Sequence, residues 1–191
     1  MDAIARLEQA ANRGATVVAV GVWAACEAFF FPIVPDVGVC LLALAAPWRA
    51  ARFFGAVVVG ALIGTAVLAV VATRTPDAVH SMLLALPGID AGMLADTDRS
   101  IARDGILGFV QFGPGAPLKV DTAAWIAHGG DTLGLLAGTI LNRLTRVGPP
   151  VLAAAVIGSL AGPWIRAHHR ATLVAYAAFW IGVYAYIWVV A

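Results

Sequence analysis

Six ionisable residues sit inside or at the edge of apolar sequence: Glu27, Asp36, Lys119, Asp121, Arg143 and Arg146. Three are acids and three are bases, so their formal charges cancel. A single charge at the centre of a membrane helix costs about 2.5–3.5 kcal/mol on insertion scales. Six uncompensated charges would be hard to insert, and mutual pairing in a polar cavity is the expected solution. Two readings of that cavity stay open. One is a structural ion-pair network. The other is a site for an anionic headgroup, with Lys119, Arg143 and Arg146 as the cations, since ammonium and guanidinium groups suit phosphate. Glu27, Asp36 and Asp121 are then the acids of proton coupling or gating, because burial and a nearby cation push carboxyl protonation in opposite directions.

The segments that carry these residues are interrupted. Ala15 to Phe31 is apolar apart from Glu27, and then Pro32 and Pro35 remove two backbone donors. Asp36 follows, and Val37 to Ala46 is apolar again. Irregular backbone and carboxylates at membrane depth survive only in a protein interior or a water-filled cavity. Residues 15–47 are therefore expected to form a re-entrant hairpin. A second interrupted stretch, FVQFGPGAPLKVDT, places Gly113, Pro114 and Pro117 at the break of another hairpin over residues 105–130. Paired broken segments are a sequence pointer to a transport site.

The remaining chain supplies the frame. Of its 191 residues, 61% are hydrophobic and 12% charged, about half the charge of an average soluble domain. This is the composition of a single multi-pass membrane domain. Residues 1–14 read as an amphipathic surface helix rather than a signal peptide. A crossing helix is expected over residues 53–73, where Gly60 and Gly64 are either a close-approach pair or background glycine. A polar connector fills 74–104, with a short interfacial helix near Met82 to Leu86. Residues 132–162 read as a kinked crossing helix ending at Gly162-Pro163, and 171–190 as the last. The row Tyr176, Trp180, Tyr184 and Trp188 reads as packing or lipid contact. The fold class is thus all-α integral membrane, with two re-entrant helical hairpins in an inverted-repeat arrangement, about three spanning helices and the amphipathic helix.

Arginine placement puts the N-terminus in the cytoplasm. Net charge is +1, which gives no basic surface for nucleic acid. Cys26 and Cys40 read as small core residues. No metal-ligand or redox spacing occurs, and no cofactor is expected. No phosphatase motif or H-E-x-x-H signature is present, so the chain does not read as an enzyme. His128, near the second break, reads as structural or as a proton carrier.

These residues also carry a resemblance. Glu27 to Asp36, the apolar return, PWRAARFF and the glycine-spaced helix resemble the first half of the DedA family, also called the SNARE-associated or VTT-domain family. Pro117-Leu118-Lys119-Val120 is similar to the P-[YF]-K-V motif of its YqaA-like branch. Asn142-Arg143-Leu144-Thr145-Arg146 is similar to the branch's G-R-x-x-R motif. The likeness covers roughly Trp23 to Gly162. Departures are Gly113 where many members have a second basic residue, Trp125 and Ile126 in place of small residues, and Asp121 as an added acid. The resemblance implies two re-entrant hairpins in an inverted repeat. It also implies translocation of undecaprenyl phosphate or a phospholipid across the bacterial inner membrane, often coupled to the proton gradient. Membrane lipids are the partners it implies, and a homo-oligomer is admitted. The residues alone equally admit a proton- or cation-coupled transporter of a small solute.

Overall fold

The computed structural model describes residues 3–111 and 115–190, with side chains through Tyr186 in the last helix. Gly113 and Pro114, and the side chain of Trp188, lie outside the described residues. The described chain is all helical, with 85% helix and no strand. The helices are α1 (Ala3–Ala11), α2 (Gly14–Phe29), α3 (Asp36–Ala45), α4 (Ala50–Arg74), α5 (Pro76–Leu84), α6 (Ala91–Asp104), α7 (Leu118–Ala127), α8 (Thr132–Arg146), α9 (Gly148–Ala167) and α10 (His169–Val190). Short 3-10 turns at Pro47–Arg49 and Gly105–Phe109 lead into α4 and out of α6.

Among the described residues, two helical runs are long and apolar enough to cross a membrane, Pro47–Arg74 and Thr132–Ala167. Much of their apolar surface faces outward. Val59, Ile63 and Val70 on α4 are exposed, as are Leu152, Ile157 and Leu160 on α9.

The prolines shape the first break. The N–H groups of Phe30 and Phe31 both return to the Cys26 carbonyl and close α2. Pro32 and Pro35 cannot donate. Helix α3 restarts at Asp36, where the Pro35 carbonyl accepts from Gly38 and Val39. The second break is asymmetric. Gly105 takes φ +57°, a left-handed conformation that ends α6. The arm entering the break is then only the five-residue 3-10 turn, while the leaving arm is the ten-residue α7 behind Pro117.

The connector is more ordered than its polarity suggests. It holds α5, which buries Val79 and Leu83, and α6, whose Asp90 cap accepts from the Met93 N–H at 2.7 Å. The apolar face of α1 is docked on protein: Ile4 is buried with Leu44, Ala45 and Ile165. Helix α9 does not end at Gly162-Pro163 but runs through Pro163 to Ala167. Pro163 is exposed, so its ring clears the neighbouring helices and the helix forgoes one hydrogen bond without stopping.

Helix α4 is the hub, touching α2, α3, α5, α7, α8 and α9. Its most extensive partner is α2, and the glycines explain the closeness. A β-carbon on Gly60 would fall on the Gly21 carbonyl oxygen, and one on Gly64 on that of Ala25. The pair is therefore a close-approach face and not background glycine. Nothing lies within 4 Å of the same position on Gly55. Gly60→Val is expected to destabilise the protein by about 1–3 kcal/mol or more through overpacking. Gly55→Ala should be neutral or slightly stabilising. Thermal unfolding of the detergent-solubilised variants checks both, and equal melting would contradict this packing.

Candidate functional site

The two breaks meet. Lys119, at the start of α7, is buried and its Nζ donates to the carbonyl of Phe31 in the first break at 3.1 Å. Arg146, in the last turn of α8, donates through Nη1 to the carbonyl of Ala116 at 2.8 Å, and more weakly to that of Gly115 at 3.5 Å. Broken backbone leaves carbonyls without helical partners, and buried ones must be satisfied. Here cationic side chains from elsewhere satisfy them.

Beneath the breaks lies a buried ion pair. Arg143 Nη2 donates to Glu27 Oε2 at 2.5 Å, and both side chains are 2% exposed. Lys119 Nζ stands 4.0 Å from the other oxygen, Glu27 Oε1. This joins α2 to α8 and α7. Asp36 is buried in the first turn of α3, where the positive helix end favours a carboxylate. Its Oδ1 has no hydrogen-bond partner.

A cavity of about 930 Å³ opens over this group. Glu27, Asp36, Lys119 and Arg146 form its polar floor. Its walls are apolar and come from α10, with Phe179, Trp180 and Tyr184, and from the α5–α6 loop, with Leu86 and Ile89. Helix α10 is tied to the first break by two hydroxyls eight residues apart. Tyr176 Oη donates to the Val37 carbonyl at 2.5 Å, and Tyr184 Oη accepts from the Val34 N–H at 3.1 Å. Trp23 Nε1 donates to another carbonyl of the break, that of Ile33, at 2.8 Å.

The expected site residues therefore divide. Lys119, Arg146, Glu27 and Asp36 share the cavity, and Pro32 and Pro117 line it. Pro35 lies at the N-terminus of α3. Arg143 does not line the cavity but lies behind Glu27. Asp121 is also apart: it is fully buried and accepts from Gln111 Nε2 at 3.0 Å and Asn142 Nδ2 at 3.3 Å. Setting the Glu27–Arg143 pair aside, the cavity floor holds two cations, Lys119 and Arg146, against one carboxylate, Asp36. The free N–H groups at the start of α7 add positive potential beside Lys119. The floor suits an anion, and the walls suit an apolar chain.

Several participants carried no clear sequence signal. Gln111 and Asn142 are neutral and sit in apolar runs, where a buried amide must find partners. Tyr176 and Tyr184, part of an aromatic row at four-residue spacing, read from sequence as packing or lipid contact. Among the described residues no cluster of His, Cys, Asp and Glu could hold a metal. No family model, curated protein or solved structure matches the chain.

Breaking a buried pair from one side leaves an uncompensated charge and costs about 3–5 kcal/mol. Arg143→Met and Glu27→Gln should each destabilise the protein on that scale. Arg146→Gln, which gives up only bonds to carbonyls at the edge of a cavity, should cost far less. Chemical unfolding in detergent measures the order, and an Arg146 loss as large as that of Arg143 would contradict the division of roles.

Proposed function

We propose that this chain is a multi-pass membrane protein of the DedA type that translocates a phosphate-bearing lipid. Undecaprenyl phosphate or a phospholipid would cross the bacterial inner membrane by this route. The observation that carries the proposal is the excess of cationic groups on the floor of an apolar-walled cavity. An amphiphile fits that polarity: its phosphate reaches Lys119 and Arg146, while its chain lies along α10. The outward apolar faces of α4 and α9 support membrane insertion, since contiguous exposed apolar surface of this kind needs a partner such as lipid. The two backbone breaks, each held by a charged side chain, support re-entrant hairpins in an inverted arrangement, with the N-terminus cytoplasmic. In this setting Arg143 holds the framework and does not meet the headgroup.

A second reading is a proton- or cation-coupled transporter of a small solute. The unpartnered Oδ1 of Asp36 in the cavity favours it, because a buried carboxylate oxygen seeks a donor or a cation.

Reconstitution in proteoliposomes distinguishes the two. Wild type should move undecaprenyl phosphate or a phospholipid between leaflets. Lys119→Ala and Arg146→Ala should each slow that movement by about 10- to 100-fold, as expected for losing a charged hydrogen bond worth about 1.5–3 kcal/mol, while remaining folded. No movement of either lipid class by the folded wild type would overturn the lipid reading in favour of the solute one.

A further inference from the structure

Asp121 takes no part in the cavity, yet it is the acid most completely withdrawn from solvent, at 0% exposure. Among the described residues it makes no ion pair. Its partners are neutral amides: Gln111 Nε2, at 3.0 Å from both carboxylate oxygens, and Asn142 Nδ2, at 3.3 Å from Oδ2. The charged groups around it come from several helices. Arg143 and Arg146 act on it from α8 without pairing, and Lys119 of its own helix turns to Phe31 and Glu27. Glu27 of α2 is engaged with Arg143. The charged residues of α4, α5 and α6 packed against α7 are exposed at their ends or outer faces: Arg52 and Arg74, Asp77 and His80, and Asp96, Asp98, Arg99, Arg103 and Asp104. Asp98 is taken by His128 at 2.9 Å.

The two amides differ in freedom. Asn142 is fully buried and its Nδ2 donates to the Phe109 carbonyl at 3.3 Å as well as to Asp121, which holds its orientation although its Oδ1, like the Oε1 of Gln111, has no partner. Gln111 lies in the irregular second break, is only half-buried, and its Oε1 has no partner. A turned-over Gln111 would present Oε1 to Asp121. That is favourable only when the acid carries a proton to donate, because a carboxylate is acceptor-only and a carboxylic acid has one O–H. A metal cation is less suited, since it needs oxygen ligands where Asn142 holds an N–H between Asp121 and the Phe109 carbonyl.

The Gln111 amide is also in contact with the anion site. It lies against Gly115, where a β-carbon would collide with its Oε1. The carbonyls of Gly115 and Ala116 are those that hold Arg146, and Arg146 lines the cavity.

We infer that Asp121 is a proton-binding site separate from the cavity, and that Gln111 transmits its protonation to Arg146 through the Gly115–Ala116 strip. A proton from water adds to the Asp121 carboxylate and forms an O–H. Gln111 turns over to accept it and shifts its contact with Gly115. The carbonyls at Gly115 and Ala116 then hold Arg146 differently. The two orientations of one amide supply the two-state element that such coupling requires. The link to ligand affinity rests on the headgroup reading given above; the proton site itself does not.

The test uses the full chain in lipid nanodiscs, with two readouts. Infrared difference spectra across pH should contain a protonated-carboxyl band that is absent from Asp121→Asn. In Gln111→Leu, which keeps the acid but removes its partner, the band should remain with a shifted titration midpoint. Binding of decyl phosphate should change by about fivefold or more across the wild-type infrared midpoint, the range of ordinary coupling energies, and Asp121→Asn should lose the component of that change centred on this midpoint. Absence of any Asp121-dependent band in wild type overturns the proton site, and an unmoved midpoint in Gln111→Leu overturns the part given to Gln111. A change in binding centred on the wild-type infrared midpoint that survives unreduced in Asp121→Asn overturns the coupling. Wild type that binds no decyl phosphate at any pH overturns the headgroup reading and the coupling built on it, and the infrared comparison still decides the proton site.

Discussion

The buried pair of Glu27 and Arg143 is the interaction on which the rest of the structure depends. Its partners stand 116 residues apart in sequence, on helices from the two halves of the chain. A charged group taken out of water loses several kcal/mol of solvation, and only a close, well-shielded partner returns it. The shielding comes from α4 and α2, whose close approach is possible because Gly60 and Gly64 carry no side chain. Lys119 stands at the second oxygen of Glu27 and fastens the first break through Phe31. The breaks in turn offer carbonyls that position Lys119 and Arg146.

Much of this was legible in the sequence because charge in an apolar segment is expensive and therefore informative. On that ground all six ionisable residues were expected in one polar cavity; Glu27, Asp36, Lys119 and Arg146 line it, whereas Arg143 and Asp121 do not, and the interruptions at Pro32, Pro35 and Pro117 were equally readable. The start of α8 was readable from Asp131, which accepts from Gly134 N–H as a cap. What sequence could not apportion was the work of each cation. Arg143 and Arg146 are three residues apart on one helix and differ by less than one turn, yet one is sealed behind Glu27 and the other faces the cavity. That difference is set by which neighbour each guanidinium meets, and no local pattern encodes it. Pro163 illustrates the opposite error. A proline inside an apolar run looks like a stop, but on an outward face it costs one hydrogen bond and the helix continues.

Neutral residues were the least visible participants. Gln111 and Asn142 carry no charge penalty to mark them, yet their N–H groups supply the hydrogen bonds that the buried Asp121 carboxylate requires. The tyrosines of α10 were equally ambiguous. Tyr184 takes up the Val34 N–H between the two prolines, where regular helix bonding is unavailable, and Tyr176 adds a bond to the Val37 carbonyl in the first turn of α3. A row that reads as packing is therefore also a set of backbone partners.

That attachment bears on how a ligand could leave the site. Helix α10 forms one apolar wall of the cavity, and besides its two hydroxyl contacts it packs through Tyr176 and Leu173 against the buried clusters that hold Val39 and Ile165. Each hydrogen bond contributes only about 0.5–1.5 kcal/mol net, whereas the floor is anchored by a buried ion pair. In the proposed setting the asymmetry has a mechanical consequence. On the lipid reading, parting of the wall would leave the ion pair of the floor intact, and an amphiphile would exchange sideways with lipid without the charged core being disassembled. Because Tyr184 bonds the segment between Pro32 and Asp36, parting of that wall would also release the backbone that carries Asp36. Entry from the lipid and rearrangement of the polar floor would then be one motion rather than two.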